Sequence, residues 1–167
     1  SGAEDTKGTI VINQDKKKSI EYYKQAADLG DVGAIYWVGH CLISGEGGIN
    51  KNEIDIIQGL NMLEKAANQE HPAAYYYLAT IYRSGLKSSN IDCVDVNVNI
   101  DVNIDLFNKY LDLAIDAGDS DACFCKADLY MNGIEGYPLD EKKSISYMQF
   151  AADKNHIDAI VNLGTMH

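Results

Sequence analysis

Two pairs of side chains in this sequence combine the residue types and the short spacing that metal binding needs. His40 and Cys41 are adjacent, and Cys123 and Cys125 lie two positions apart. On a helix, which advances about 100° per residue, Cys123 and Cys125 would point about 200° apart and could not chelate one ion together. His40 with Cys41 is likewise a weak metal signal. We therefore interpret the cysteines as small buried apolar residues, and the sequence predicts neither a metal ion nor another cofactor.

The patterns typical of catalytic and nucleotide-binding sites are missing or incomplete in the sequence. No histidine pair has metalloprotease spacing, and no glycine run has the P-loop form. Ser84 to Lys87 matches the Ser-x-x-Lys pattern of β-lactamases, but the Ser-Asp-Asn and Lys-Thr-Gly motifs that accompany it are absent. The segment from Asp95 begins like an EF-hand loop, but Ile100 stands at its glycine position and Leu106 at its closing glutamate. The sequence thus predicts no catalytic residue and no enzyme.

The elements that would position these side chains recur along the chain. Four blocks centred on an alanine lie 40, 48 and 37 residues apart, and in each block a second alanine follows the first after 8 residues. The alanine pairs are Ala26 and Ala34, Ala66 and Ala74, Ala114 and Ala122, and Ala151 and Ala159. A period in this range with one fixed internal spacing is typical of stacked helical repeats, which mostly bind other chains.

Two helices can be distinguished in each repeat. Helix A starts near the second alanine; five positions later it has a small residue, and eleven positions later a glycine. The small residue lets two helices approach closely, and the glycine suits a left-handed C-terminal cap. The small residues are Gly39, Ala79, Ala127 and Gly164, and the capping glycines are Gly45, Gly85 and Gly133.

Helix B leads up to the first alanine of each pair with an apolar stripe at helical period. Four residues past that alanine come Gly30, Glu70, Gly118 and Asn155, and because three of these four tolerate a left-handed cap, the helix is predicted to stop there. Asp15 and Asp140 are predicted N-caps of B helices, and Pro72 fits the first turn of an A helix. The sequence therefore predicts eight helices in which B and A alternate.

The pattern Ala-x-x-x-Leu-Gly-x-x-Tyr-x-x-Gly, followed by a helix that ends Tyr-Tyr-x-x-Ala-Ala-x-x-x-Gly, resembles the Sel-like repeat (SLR) family, a relative of the tetratricopeptide (TPR) repeats. The resemblance covers the chain from about Gly8 to His167. It implies an all-α fold, a right-handed α-α superhelix (solenoid) of about four Sel-like, TPR-like helix-turn-helix repeats, with the A helices on its concave side. It also implies an adaptor role.

We expect residues 1–167 to form a single Sel-like repeat array. Its repeats are predicted at approximately residues 8–31 (partial), 32–71, 72–119, 120–156 and 157–167 (partial), with a loop insertion near 86–103. Because both outer repeats are partial, we expect the chain to be a fragment of a longer repeat protein.

Several residues depart from the family's pattern, and the third repeat is the least regular. Lys126 stands where the family has leucine. A site that is usually alanine holds Phe107 and Gly59, while Glu70 replaces a capping glycine and Ile115 the second alanine. A lysine at an apolar site can extend its ammonium group to solvent along its aliphatic stem, so Lys126 is not expected to break the helix.

The insertion carries a pattern of its own. From Val94 to Asp105 apolar and polar residues alternate, which is typical of a strand and not of a helix. One interpretation is a long surface loop before a helix that starts near Ile104. The other is a short extended segment that offers its edge to a partner strand. The sequence leaves both open.

Helix A has a second face, at two, six and nine positions past the second alanine of each pair. We predict that this face lines a concave groove that binds a peptide or helix of a partner protein. The predicted contacts are Tyr36, His40, Ile43, Tyr76, Thr80, Arg83, Phe124, Asp128, Met131 and Val161. Tyr36, Tyr76 and Phe124 would form an aromatic strip of the kind found at interface centres. The alternative is that these rings fill gaps between neighbouring repeats.

Charge and composition limit the classes of partner. The formal net charge is -11 and the pI is near 4.6, so the protein would on average repel nucleic acid or an anionic membrane. No apolar run approaches the roughly 18 residues of a membrane span, so no direct membrane insertion is predicted. Cysteines outside the repeat register favour a reducing compartment such as the cytoplasm, while the ER lumen or a membrane tether of a longer protein stay open.

Taken together, the sequence favours a protein-interaction scaffold or adaptor. Two alternatives stay open: an enzyme of hydrolase type, β-lactamase-like or esterase, on the same repeat fold, and a purely structural spacer between neighbouring domains. The partner, the pathway and the oligomeric state do not follow from the sequence.

Overall fold

The repeat pattern forms successive helices in the structure. The computed structural model describes residues 18–46, 53–87 and 99–166. These residues contain eight helices and two short strands: α1 (residues 18–28), α2 (Val32–Ser44), α3 (Glu53–Ala67), α4 (Pro72–Ser84), β1 (Leu86–Lys87), β2 (Asn99–Ile100), α5 (Ile104–Asp116), α6 (Ser120–Asn132), α7 (Glu141–Asp153) and α8 (Ile157–Met166). Their order confirms the predicted alternation of B and A helices. None of the helices described here has the length and the apolar character that crossing a bilayer requires.

The chain divides into two compact units. Unit 1 comprises residues 1–74 and 86–101, and unit 2 comprises residues 75–85 and 102–167. Unit 2 has two hydrophobic clusters, one formed by α4, α5 and α6 around Phe107 and one formed by α6, α7 and α8 around Met148. Helix α6 contributes buried residues to both clusters, so each of them joins three successive helices, as stacking of repeats requires.

Polar side chains start several of the helices. At the start of α2, α5, α6 and α7, a side-chain oxygen accepts a hydrogen bond from the backbone N–H three residues further along the chain, at 2.7 to 3.0 Å. The four capping residues are Asp31, Asn103, Asp119 and Asp140. The predicted cap Asp140 is thereby confirmed, whereas Asp15 lies outside the described residues. Pro72 is the first residue of α4, as predicted.

The helix ends also follow the predicted register. The A helices are closed by Gly45, Gly85 and Gly133, with φ of 76°, 70° and 61°. The B helices are followed by Gly30, Glu70, Gly118 and Asn155, with φ of 93°, 60°, 83° and 65°. Glu70 and Asn155 thus adopt a left-handed conformation that favours glycine. The repeat register, and not the residue type alone, determines where these helices stop.

Replacing Glu70 by glycine is expected to stabilise the protein by about 1 kcal/mol. A left-handed conformation costs an L-residue roughly 1–2 kcal/mol, and the greater chain entropy of unfolded glycine offsets part of the gain. Gln69, one residue earlier, has no positive φ, so Gln69→Gly is the matched control and should not be stabilising. Urea unfolding measures both variants, and equal midpoints would contradict the prediction.

Helices α2 and α3 meet at two glycines in unit 1. A Cβ atom added to Gly39 would lie 2.9 Å from the carbonyl oxygen of Gly59, and one added to Gly59 would lie 2.7 Å from Cγ1 of Ile43. Neither place accepts a side chain unless the neighbouring atoms shift. The departure of Gly59 from the family's alanine therefore allows the two helices to approach this closely.

The equivalent positions of unit 2 are filled by larger residues. Phe107 corresponds to Gly59 and is buried in the same cluster as Ala79. Ser144 corresponds to it in the next repeat, and its Oγ donates a hydrogen bond to the carbonyl oxygen of Ala127 at 2.8 Å. The small residue of each A helix is thus matched to a different neighbour on the following B helix.

Lys126 is buried in unit 2 and bound by polar neighbours. Its Nζ lies 2.7 Å from both Oδ1 of Asp112 and the hydroxyl of Tyr137, and that hydroxyl donates to Oδ1 of Asn108 at 2.6 Å. Burial alone would lower the pKa of Lys126, but the hydrogen bonds with Asp112 and Tyr137 outweigh it and raise the pKa. The helix is intact, as expected. The ammonium group, however, does not extend to solvent: it is paired, and the side chain is only 7% exposed.

The two ends of the insertion pair with each other in unit 1. Strands β1 and β2 are antiparallel, with Leu86 opposite Ile100, and both side chains pack against the fully buried Ile56 of α3. Helix α5 begins at Ile104, as predicted. The first five residues of the alternating pattern, residues 94–98, lie outside the described residues. An edge offered to a partner strand therefore stays a prediction.

Candidate protein-binding site

Two rings of the predicted aromatic strip are half-buried against histidines. The ring of Tyr36 stacks on His71 with centroids 4.8 Å apart, and the ring of Phe124 stacks on His156 with centroids 4.5 Å apart. Each histidine immediately precedes the next A helix. These rings thus fill space beside the following repeat, as the alternative interpretation predicted. Only the surface that the histidines leave open is accessible to a partner.

The stacked histidines occupy a repeat position that elsewhere holds a capping aspartate. Asp31 and Asp119 stand at this position in the other two repeats and cap their helices. In His156 the imidazole caps the helix instead: its Nδ1 accepts a hydrogen bond from the backbone N–H of Ala159 at 3.2 Å. Burial lowers the pKa of His71, against the opposing effect of Asp31, so a neutral imidazole faces Tyr36 near pH 7. The sequence reasoning missed both histidines, although their common repeat position was a usable signal.

Tyr76, the third ring of the strip, is a packing residue of unit 2. It lies against the cluster around Phe107. Burial raises the pKa of its hydroxyl, and the nearby Cys125 and acidic side chains such as Asp121 add to the rise. Tyr76 is therefore a neutral phenol that contributes mainly to the core of this unit.

Three of the predicted residues line an open cleft in unit 2. The cleft has a volume of about 250 Å³, and its lining residues are Phe124, Asp128, Met131, Met148, Asn162 and Thr165. Phe124, Met131 and Met148 make its surface largely apolar. The carboxylate of Asp128 is exposed and accepts a hydrogen bond from Nδ2 of Asn132 at 2.7 Å. The arrangement can receive an apolar side chain next to a fixed negative charge.

Arg83 and Thr80 of α4 are engaged within unit 2. Nε of Arg83 donates to both carboxylate oxygens of Glu135, at 2.9 and 3.1 Å, and its guanidinium lies 5.5 Å from the centre of the Phe107 ring. The hydroxyl of Thr80 donates to the carbonyl oxygen of Tyr77 at 2.7 Å. A partner would have to compete with these hydrogen bonds, so both residues are poorer candidates for binding than those of the cleft.

The remaining predicted residues do not line this cleft. Ile43 is only 5% exposed and packs beside Gly59, which corrects the prediction that it contacts a partner: this side of α2 faces α3. Val161 on α8 is 56% exposed. Tyr36, His40 and Ile43 belong to unit 1, and the other seven predicted residues belong to unit 2.

The cysteines of the described residues are buried, as predicted. They are Cys41, Cys123 and Cys125, while Cys93 lies outside the described part. Burial raises the pKa of all three thiols, to about 11 for Cys123. They are protonated at neutral pH and are poor nucleophiles in this state.

A comparison with protein families identifies the repeat. The model described as Sel1 repeat matches residues 6–31, 32–71, 72–92 and 122–156, well over half of the chain. Sel1 repeat proteins are generally non-enzymatic scaffolds for protein–protein interaction. The predicted repeat bounds and the single array stay predictions.

Several solved structures share this fold. The chain is similar to the Sel1 repeat protein of Oxalobacter formigenes (23% identity, TM-score 0.69, covering 90% of this chain and 54% of that one). It is also similar to a protective antigen of uropathogenic Escherichia coli with an SLR fold, at 22% identity and a TM-score of 0.66, and the match covers 90% of this chain and 29% of that one. Helicobacter pylori cysteine-rich protein B is a further similar structure, at 20% identity and a TM-score of 0.58, and the match covers 89% of this chain and 95% of that one. The chain thus spans only 54% and 29% of the first two. At these identities the likeness shows the fold, an all-α repeat solenoid.

Proposed function

The chain belongs to the Sel1 repeat family, and on this premise we propose that it is a scaffold that binds a peptide or helix of a partner protein. The observation that carries the proposal is the cleft of unit 2. Phe124, Asp128 and Met131, which were selected from the repeat register alone, line it together. Two of the three helices that contribute to it, α6 and α8, are A helices, the helices that line the concave side in the family resemblance.

The size of the cleft supports a side chain as its occupant. Its volume of about 250 Å³ lies below the roughly 300–1,000 Å³ of typical small-molecule sites. Two methionines border it, and their flexible thioether side chains adapt to differently shaped apolar groups. We propose that the cleft receives one apolar anchor residue of the partner.

Charge supports a basic flank on that anchor. The exposed carboxylate of Asp128 lies at the cleft, and the chain as a whole carries a net charge of -11. Complementary charge accelerates association and selects among partners more than it adds affinity. The proposed ligand is therefore a segment in which an apolar residue stands next to lysine or arginine.

The hydrolase alternative is not favoured, because Sel1 repeat proteins are generally non-enzymatic. A panel of fluorogenic esters and a chromogenic β-lactam tests it directly, and turnover that survives repeated purification would revive it. The spacer alternative predicts no specific ligand, so the binding experiment below separates it from the scaffold.

Selection of displayed peptides on the intact chain is expected to enrich segments that pair an apolar residue with a basic one. Phe124→Ala and Met131→Ala should each weaken the selected peptides about tenfold, since truncating an interface anchor typically costs over 1 kcal/mol. Asp128→Asn should mainly slow association and reduce its salt dependence. Fluorescence anisotropy with labelled peptides measures all three effects.

The matched control is Phe150→Ala. Phe150 on α7 is 43% exposed and does not line this cleft, so its loss should leave peptide binding unchanged. Circular dichroism melts check that Phe124→Ala, which removes the stack on His156, still folds. Failure to enrich any peptide, or equal binding by wild type and both cleft variants, would rule out this cleft as the site.

A further inference from the structure

A separate cluster of ligand-type side chains lies at the end of α2 in unit 1. His40 and Cys41 belong to the C-terminal part of that helix, and Glu46 follows its cap residue Gly45. Their ligand atoms all lie within 4.8 Å of one another, and Nδ1 of His40 lies 3.8 Å from Oε2 of Glu46. Within the part of the chain that the structure describes, no other group of three His, Cys, Asp or Glu side chains comes together in this way.

The helix cap supplies the third side chain. Gly45, in the left-handed conformation with φ of 76°, ends α2 and donates its N–H to the carbonyl oxygen of Cys41 at 2.9 Å. The chain leaves the helix there, and Glu46 comes to lie beside His40. The backbone N–H of Glu46 is held by Oγ of Ser44 at 3.2 Å. His40 and Cys41, which are only a weak metal signal in the sequence, thus become part of a group of three potential metal ligands in the fold.

The three side chains differ in their access to solvent. The imidazole of His40 is 20% exposed and the side chain of Glu46 is 57% exposed, whereas Cys41 is buried. The imidazole also stacks on Trp37, with ring centroids 5.5 Å apart and planes 8° apart, which limits its rotation. Because Nδ1 of His40 and the sulfur of Cys41 are both shielded from solvent, an ion would reach them from the side of the exposed Glu46.

We propose that Nδ1 of His40, Sγ of Cys41 and a carboxylate oxygen of Glu46 bind one divalent ion of the zinc class. Nitrogen, thiolate sulfur and oxygen together suit zinc and related transition metals, whereas calcium and magnesium prefer oxygen ligands alone. Metal–ligand bonds of about 2.0–2.3 Å place the ligand atoms of a tetrahedral site roughly 3–4 Å apart. The widest gap in the cluster must therefore close by about 1 Å on binding, and the exposed Glu46 can move.

Binding exchanges the thiol proton for the metal. The S–H bond of Cys41 breaks, the sulfur–metal bond forms, and the proton leaves to the buffer. A water molecule takes the fourth position, as in zinc sites with three protein ligands.

The site belongs to one repeat only, because the equivalent positions of the next two A helices hold Thr80 with Ile81 and Asp128 with Leu129. It is independent of the proposed partner binding.

The test uses the intact chain, reduced and freed of metal, titrated with zinc chloride by calorimetry and with Co²⁺ by absorbance. We expect one ion per chain and a thiolate-to-cobalt charge-transfer band in the near ultraviolet. The emission of Trp37, the only tryptophan of the chain, should change on binding. Glu46→Gln and His40→Gln should each weaken zinc binding about tenfold or more, and Cys41→Ser should abolish the cobalt band.

Two variants keep the test independent of folding. Glu46→Gln changes an exposed side chain after the helix end, so a loss of affinity there does not arise from a damaged core. Cys123→Ser alters another buried thiol, on α6, and should leave the affinity and the cobalt band unchanged. The proposal is overturned by the absence of one-to-one binding, by wild-type affinity in both Glu46→Gln and His40→Gln, or by a cobalt band that depends on Cys123 and not on Cys41.

Discussion

Gly59→Ala is expected to lower the free energy of unfolding by about 2–3 kcal/mol. The added methyl group would lie 2.7 Å from Cγ1 of Ile43 and 2.9 Å from the carbonyl oxygen of Gly39. Overpacking typically costs about 1–3 kcal/mol. A rotamer change cannot relieve the contact with the backbone of Gly39, so the cost lies at the upper end. We expect this net destabilisation even though the helix propensity of alanine is more favourable than that of glycine by about 1 kcal/mol.

The matched control is Gly33→Ala in α2 of the same unit. There the new methyl group would meet only Oδ1 of Asp31, at 3.4 Å, so helix propensity dominates and the variant should be as stable as wild type or slightly more stable. Urea unfolding followed by the fluorescence of Trp37 measures unit 1 selectively, because this is the only tryptophan of the chain. A Gly59→Ala variant that is as stable as Gly33→Ala would disprove the close approach of α2 and α3.

Asp112→Ala is expected to destabilise the protein by about 2–3 kcal/mol. Removing one partner of a buried ion pair costs about 3–5 kcal/mol, because the other charge stays buried without compensation. We expect a smaller loss of stability here, because Asp112 itself is 60% exposed and because Tyr137 still accepts a hydrogen bond from Lys126 in the variant. Lys126→Met is the informative counterpart. Lys126→Met removes the buried charge and leaves only the carboxylate of Asp112, which is 60% exposed and stays hydrated, so its stability should stay within about 1 kcal/mol of wild type.

The pH dependence of stability separates wild type from Lys126→Met. Because the pKa of Lys126 is raised on folding, its contribution is complete below the ordinary lysine value of about 10.5 and is lost as the pH rises through the folded-state value. Wild type should therefore lose stability above pH 10.5 more steeply than Lys126→Met. Denaturant midpoints between pH 8 and 11.5 show this difference, and parallel curves would contradict the role assigned to the ammonium group.

The helix boundaries could be predicted because they depend on local rules that recur in every repeat. A cap at Asp140, a start at Pro72 and a helix stop at Glu70 each follow from a position in the register. Glu70 is the most informative case, since its residue type argues against a stop. Four copies of one pattern outweigh a single unfavourable residue, because each repeat must place its helices against the next.

The surroundings of individual side chains could be predicted less well, because they depend on residues far apart in sequence. Lys126 is paired with Tyr137, which lies in the loop before α7, and Arg83 with Glu135 from the same loop. No periodicity describes such a loop. Ile43 was assigned to an open face because angular spacing on one helix does not reveal how closely a neighbour approaches. The glycine pair that buries it lies on two different helices.

The antiparallel pairing of β1 with β2 has a practical consequence for engineering. The chain leaves at Leu86 and returns at Ile100 as neighbours, so the stretch that joins them can change in length while both flanks keep their places. Loop-closure entropy grows slowly, by about 0.6 kcal/mol for each doubling of length. An epitope tag inserted between the two strands should therefore add little to the cost of pairing them, and an unchanged urea midpoint of the tagged chain would show that β1 and β2 still pair.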